Sequence, residues 1–206
     1  MTNEELAILS AEADAALRPL FAKIDETAQI NTARVLDAFR EERVSDACFA
    51  GTTGYGYDDR GRETLDRVWS RVFGTDASLV RQNFVNGTHT ISTALFGLLR
   101  PSDVLLSVTG KPYDTLDGVI GIGGADGRGS LCDFGVKYEE IAMADGKIDL
   151  PAVRERLLAD SGKRIRVVFV QRSKGYLNRR TLTPEEISEA YLLVHSLRLF
   201  SRAVLL

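Results

Sequence analysis

The residues best placed to do chemistry fall within 80–116, VRQNFVNGTHTISTALFGLLRPSDVLLSVTGKPYDTL. This stretch reads as a short β-prone run at 80–85, a tight turn at Asn86, Gly87 and Thr88, and an amphipathic helix over 89–99 closed by Pro101. Gly87 lets the backbone turn sharply or approach a ligand closely. Thr88 is a candidate helix cap, and the N–H groups gathered there share the positive end of the helix dipole. Such a turn suits a phosphate. The same residues also make an ordinary capped turn, and the pattern alone leaves both readings open. His89, in the first turn, either braces a phosphate or polarises a substrate, or it packs on the surface. Asp58 and Asp59 resemble an acid pair or metal ligands, but adjacent side chains point in different directions and no third ligand is near in sequence. They read as turn residues. Arg172 and Arg179 offer bidentate hydrogen bonds to a substrate carboxylate, with solvated loop charges as the alternative.

These residues need a scaffold. Residues 3–43 are expected to form two helices, an extended arm with apolar residues at heptad-like spacing: Leu6, Leu9, Ala13 and Leu17, then Ile24, Ala28, Val35, Leu36 and Phe39. The segment 48–61, CFAGTTGYGYDDRG, is glycine-dense and aromatic with neither helical nor strand period, so it is expected to be an irregular loop. A helix follows over 62–73, with Leu65, Val68, Trp69 and Val72 on one face.

Beyond the turn, strands are expected at 103–108, 134–143 and 165–170, the last a strongly apolar run of the kind buried in a parallel sheet. Helices are expected at 113–122, at 149–159 behind Asp149 and Pro151, and at 184–197 behind Thr183 as cap with Glu185 and Glu186 in the first turn. Residues 121–129 read as a glycine-rich turn and 203–206 as the opening of another strand. The alternation indicates an α/β domain with a largely parallel sheet. Because the final strand stops without a partner helix, the sequence is expected to be a fragment of a longer protein, with a helical arm at 1–47 and an incomplete α/β domain at 48–206.

Composition narrows the partners. A chain of 206 residues, 44% hydrophobic and 27% charged, can bury a core and has no disordered signature. A net charge of -3 gives no electrostatic ground for nucleic-acid binding. Cys48 and Cys132 lie far apart without metal-ligand spacing, which argues against a disulfide framework or a metal site and fits a reducing cytosol. The acidic, amphipathic N-terminus has no secretory signature. The apolar-rich stretch 191–206 is interrupted by His195, Arg198 and Arg202, too short and polar to span a membrane. A cytoplasmic protein with no membrane contact is expected.

Four islands occur in order: TTGYGYDDRGRETLDRVWSRVFG, VRQNFVNGTHTISTALFGLLRPSD, TGKPYDTLDGVIG and VQRSKGYLNR. Together they resemble the aluminium resistance protein family, whose members are also described as cystathionine lyase-like or methionine gamma-lyase family proteins, within the fold type I enzymes that use pyridoxal 5'-phosphate (PLP). The resemblance covers residues 6–206 and implies an N-terminal helical arm followed by part of the large PLP-dependent transferase-like domain, cut short at the C-terminus. It implies that Gly87 and Thr88 hold the cofactor phosphate and that Tyr113, in the PYDTL motif, stacks on the pyridine ring. It also implies that Tyr57 and Arg60 reach a neighbouring subunit's phosphate, with Tyr55 or Arg62 able to take those parts. Arg172 follows a buried strand, where sheet ligands gather, and with His89 it is a candidate contact for a small sulfur-containing amino acid. The chain would assemble with itself, as a homodimer or homotetramer.

Two parts of that chemistry are missing. Enzymes of this type place an aspartate beside the pyridine nitrogen and a lysine that holds the cofactor covalently. In the family both lie C-terminal to Leu206. Lys174 is no substitute, because family members tolerate arginine there. The expectation is therefore a PLP-dependent carbon-sulfur lyase-like protein of sulfur amino acid metabolism, inactive as this fragment, with no catalytic residue and no metal ligand of its own. The alternatives are a non-catalytic phosphate-binding or interaction module on the same scaffold, and a truncated product without a role.

Overall fold

Thr2 starts the first helix by a reciprocal cap: its hydroxyl accepts from the Glu5 N–H at 3.2 Å, and the Glu5 carboxylate accepts from the Thr2 N–H at 2.7 Å. The computed structural model describes residues 1–55, 57, 59–124, 129–197 and 204–205, and its packing divides into two units, Met1–Asn83 and Phe84–Leu206.

In the first unit α1 runs unbroken over Asn3–Glu41, 39 residues, where the apolar spacing led to two helices. Pro19 cannot donate to the carbonyl four residues before it, yet the strong helix formers on both sides carry the helix through. Ala38 is the buried residue of α1, while Leu6, Leu9, Leu17, Leu20 and Ile24 are exposed. The end of α1 is fastened by charge: Glu42 takes Arg67 Nε at 2.8 Å and also Arg71, while Arg71 reaches Glu41 at 2.8 Å. Both arginines belong to α2, Arg60–Phe73, which Asp59 caps by accepting from the Arg62 N–H at 3.0 Å.

The run 80–85 is not a strand. Asp66 on α2 accepts from the Val80 N–H at 2.7 Å and from Arg81 at 2.6 Å, so a donor that a sheet ladder would need is already committed.

In the second unit α3 spans Gly87–Leu98, and among the described residues four strands follow: β1 Val104–Ser107, β2 Lys137–Glu140, β3 Ile165–Phe169 and β4 Val204–Leu205. They form one parallel sheet in the order β2-β1-β3-β4. Between them lie α4 Asp117–Ile120, α5 Leu150–Leu158 and α6 Pro184–Ser196. The expected helix over 113–122 is a 3-10 turn, Asp114–Leu116, running into α4 and stopped at Gly121, whose φ is +95°. The expected strand over 134–143 shortens to β2, because the N–H groups of Phe134, Gly135 and Val136 close local turns instead of a ladder. Of the glycine-rich turn at 121–129, residues 125–128 lie outside the described residues, as do 203 and 206 of the last expected strand.

The sheet buries both faces. Val104, Leu106 and Val108 join Val153, Leu157, Ala190 and Val194 on the α5–α6 side, while Leu105 joins Leu95, Leu99, Leu116 and Ile120 on the α3–α4 side. On β3 the alternation slips. Ile165 and Val168 share the first face and Val167 and Phe169 the second, because Arg166 is an extra residue against β1. Among the described residues, no helix is long and apolar enough to cross a membrane.

Candidate functional site

β1 and β3 are neighbours, but the chain leaves β1 towards β2 on one side and β3 towards β4 on the other. Loops diverge at such a switch point, and the carboxyl ends of the strands open a crevice there. A cavity of about 530 Å³ lies at this place, lined by Gly87 and Thr88 from α3, Tyr113 and Thr115 from the segment after β1, and Gln171 and Tyr176 from the loop after β3, among others.

The cap of α3 is Asn86, not Thr88. Asn86 Oδ1 accepts from the His89 N–H at 2.9 Å. The Thr88 hydroxyl donates instead to Thr115 Oγ1 at 3.0 Å, tying the helix start to the 3-10 turn. Among the described residues, no group accepts from the N–H of Gly87 or of Thr88. Both donors therefore sit unpartnered at the positive end of the helix dipole. A Cβ built on Gly87 meets nothing within 4 Å, so the backbone there is open to approach.

Tyr113 is half-buried on the facing wall. Its N–H donates to Gln171 Oε1 at 2.7 Å, and its ring lies 5.8 Å from that of Tyr176 at 31°. The neighbouring Tyr176 phenol, aided by desolvation, pushes the Tyr113 phenol above its ordinary range. Gly175, at φ +56°, passes so close that an added Cβ would stand 2.8 Å from Tyr113 Cδ2.

The remaining sequence candidates are not among the residues that line this cavity. His89 is exposed: its Nδ1 accepts from the Val85 N–H at 3.3 Å and its ring meets Phe84 edge-on at 6.0 Å, so it fixes the entry to α3. Arg172 Nε donates to the Leu182 carbonyl at 3.1 Å. Arg179 donates to the carbonyls of Gln171 at 3.1 Å and Ser173 at 2.8 Å, bracing the loop after β3. Tyr57 and Arg60 belong to the first unit. Tyr57 is exposed and Arg60 opens α2. Asp59 is the α2 cap, and Asp58 lies outside the described residues. Gln171, Thr115, Gly175 and Tyr176 were missed. The QRSKGY motif held three of them but drew notice for its arginine.

A family model for methionine gamma-lyase matches residues 6–202. The chain belongs to the methionine gamma-lyase family. Within that family it is similar to the uncharacterized protein YnbB of Bacillus subtilis, at 44% identity over 191 residues, 92% of this chain and 44% of that protein. It is also similar to the solved carbon-sulfur lyase involved in aluminium resistance from Clostridium novyi, at 41% identity and a TM-score of 0.89, covering 95% of this chain and 46% of that one. A Clostridium acetobutylicum structure, provisionally named a cystathionine beta-lyase involved in aluminium resistance, gives 40% identity and a TM-score of 0.92 over 98% of this chain and 47% of that one. The chain thus spans about half the length of these family members. The mixed α/β fold with its parallel sheet is theirs over nearly all of this chain, as the sequence led one to expect.

Proposed function

We propose that the cavity of the second unit seats the phosphate and ring of PLP. In this reading the chain is part of a PLP-dependent carbon-sulfur lyase of methionine gamma-lyase or cystathionine lyase type, acting on small sulfur-containing amino acids. The observation behind this is the meeting, at the sheet's switch point, of two unpartnered helix N–H groups with the Tyr113 ring.

The donor set suits a phosphate monoester: the N–H groups of Gly87 and Thr88 point a fixed positive field at it, and the Thr115 hydroxyl, which accepts from Thr88, keeps its own proton for a third polar contact. Tyr113 offers a flat apolar wall of the right kind for a pyridine ring. The cavity, about 530 Å³, suits a ligand of this size. When bound, PLP supplies an electron sink for charge developing at the substrate carbon beside the amine. The residues of this chain bind and orient. Among the described residues, neither lysine nor aspartate lines the cavity, so covalent attachment and protonation of the ring nitrogen are assigned to parts of the complete enzyme outside this chain. The chain alone is inactive in this reading.

Residues 1–47 then serve as a helical arm and 48–206 as the cofactor-binding domain. The exposed Tyr57 and Arg60 act at a neighbouring subunit's phosphate in a homodimer or homotetramer, and the cytosol is the compartment that suits two unpaired cysteines, Cys48 and Cys132. Calorimetric titration of the purified chain with PLP, pyridoxal and inorganic phosphate tests the reading. PLP should bind more tightly than either fragment because both ends of the cavity are used. Equal affinity for PLP and phosphate would leave a phosphate-binding module, and no binding of any of the three would remove the site.

A further inference from the structure

We infer that Gln171 is the positioning residue for Tyr113, setting the plane of the aromatic wall on which the proposed ring site rests. Tyr113 stands at the N-cap of the 3-10 turn with φ -56° and ψ 140°, directly after the buried Pro112. Its carbonyl is taken by the Leu116 N–H at 2.9 Å, which closes that turn but does not hold the residue against the sheet. Its N–H has one partner among the described residues, the Gln171 side chain.

Gln171 is suited to the task because a neutral carboxamide accepts and donates at once. Its Oε1 takes the Tyr113 N–H at 2.7 Å, while its Nε2 donates to the Ser173 carbonyl at 3.0 Å. Its own N–H donates to Thr109 Oγ1 at 3.1 Å, and Thr109 is buried two residues beyond the end of β1. One residue thus joins the carboxyl end of β1, the segment bearing Tyr113 and the turn after β3. Arg179 holds that turn from outside through the Gln171 and Ser173 carbonyls. Within the turn, Gly175 approaches the Tyr113 ring closely enough that only hydrogen fits on its Cα, and Tyr176 stands beside the ring. The backbone of Tyr113 is therefore fixed by Gln171 and its ring is confined by Gly175 and Tyr176.

The test uses the whole chain with Gln171→Met, Gln171→Asn and Gln171→Glu. Methionine keeps the length but has no hydrogen-bonding amide. Asparagine keeps the amide with one methylene less reach, and glutamate keeps the oxygen facing the Tyr113 N–H. Tyrosine-labelled NMR reads the contact between the Tyr113 and Tyr176 rings without any ligand, and calorimetry reads PLP and inorganic phosphate separately. In Gln171→Met and Gln171→Asn the ring contact should disappear and PLP should bind about tenfold more weakly, with phosphate affinity kept to within about twofold, since the α3 terminus is untouched. Gln171→Glu keeps the acceptor for the Tyr113 N–H but loses the donor to the Ser173 carbonyl. It should retain more of the ring contact than Gln171→Met, while its added negative charge weakens PLP and phosphate alike. An unchanged ring contact in Gln171→Asn, or equal losses for PLP and phosphate in either neutral variant, would overturn the assignment. A wild-type chain that bound no PLP would count against the cofactor reading alone, because the ring contact still decides whether Gln171 positions Tyr113.

Discussion

Replacing Gly87 by valine separates a ligand site from an ordinary turn. Gly87 is the first residue of α3, and a Cβ there meets nothing within 4 Å, so the fold has room for the side chain. Valine is a slightly better helix residue than glycine, which holds the stability change below about 0.5 kcal/mol and the Tm shift to about 2 °C or less. The effect on phosphate is larger. An isopropyl group beside the Gly87 N–H blocks a charged oxygen from reaching it, and one such hydrogen bond is worth about 1.5–3 kcal/mol, or roughly ten- to a hundredfold in Kd. Calorimetry with PLP and with inorganic phosphate, beside a thermal melt without ligand, measures both quantities on the same sample. Loss of affinity at constant Tm is the expected result. A parallel loss of both would make the turn structural, and full retention of affinity would move the phosphate elsewhere.

Gly175→Ala combines φ +56° with a Cβ 2.8 Å from the Tyr113 ring, so it should cost about 1–2 kcal/mol in urea unfolding, and an unchanged midpoint would refute the close approach. Leu157→Ala, at a fully buried position packed under the sheet, should destabilise by about 2–5 kcal/mol; a loss under about 1 kcal/mol would mean that the core is looser than described. Arg180 beside Glu186 holds that carboxyl down to about 2 from its ordinary 4.5, helped by the Thr183 N–H. Its contribution is therefore present above pH 4.5 and lost as the pH falls towards about 2; urea midpoints of Glu186→Gln should decline less over that range, and identical acid limbs would contradict this. Light scattering should show the chain as a dimer or larger, and a monomeric mass at every concentration would count against self-association.

What was legible in the sequence was whatever depends on near neighbours. The apolar run at β3, the Thr183 cap with Glu186 three residues on, and Asp149 ahead of Pro151 are local patterns, and each lies where expected. The failures have long-range causes. Val80 and its neighbours have strand propensity, but the Asp66 carboxylate fourteen residues earlier holds them to α2. Thr88, the expected cap, gives its hydroxyl instead to Thr115, 27 residues away, and Asn86 caps α3. For Gln171 no sequence signal existed, because its partner Tyr113 is 58 residues distant and reaches it only once β1 and β3 pair. The glycine-threonine turn and PYDTL could be picked out separately. Their convergence in one cavity belongs to the sheet topology.

The wholly parallel sheet also governs how quickly the native state is reached. No two of its strands can pair across a short hairpin, so each ladder waits on closure of a long loop, and β1 meets β3 only after β2 and α5 have been laid between them. Helix α1 needs contacts only four residues apart and forms in about a microsecond, whereas non-local pairing of this kind runs to milliseconds or seconds. Strand pairing therefore paces folding, and until β3 arrives one edge of β1 is open to another chain's strand. Refolding yield should fall as protein concentration rises, with intermolecular pairing competing for the edge that β3 normally fills.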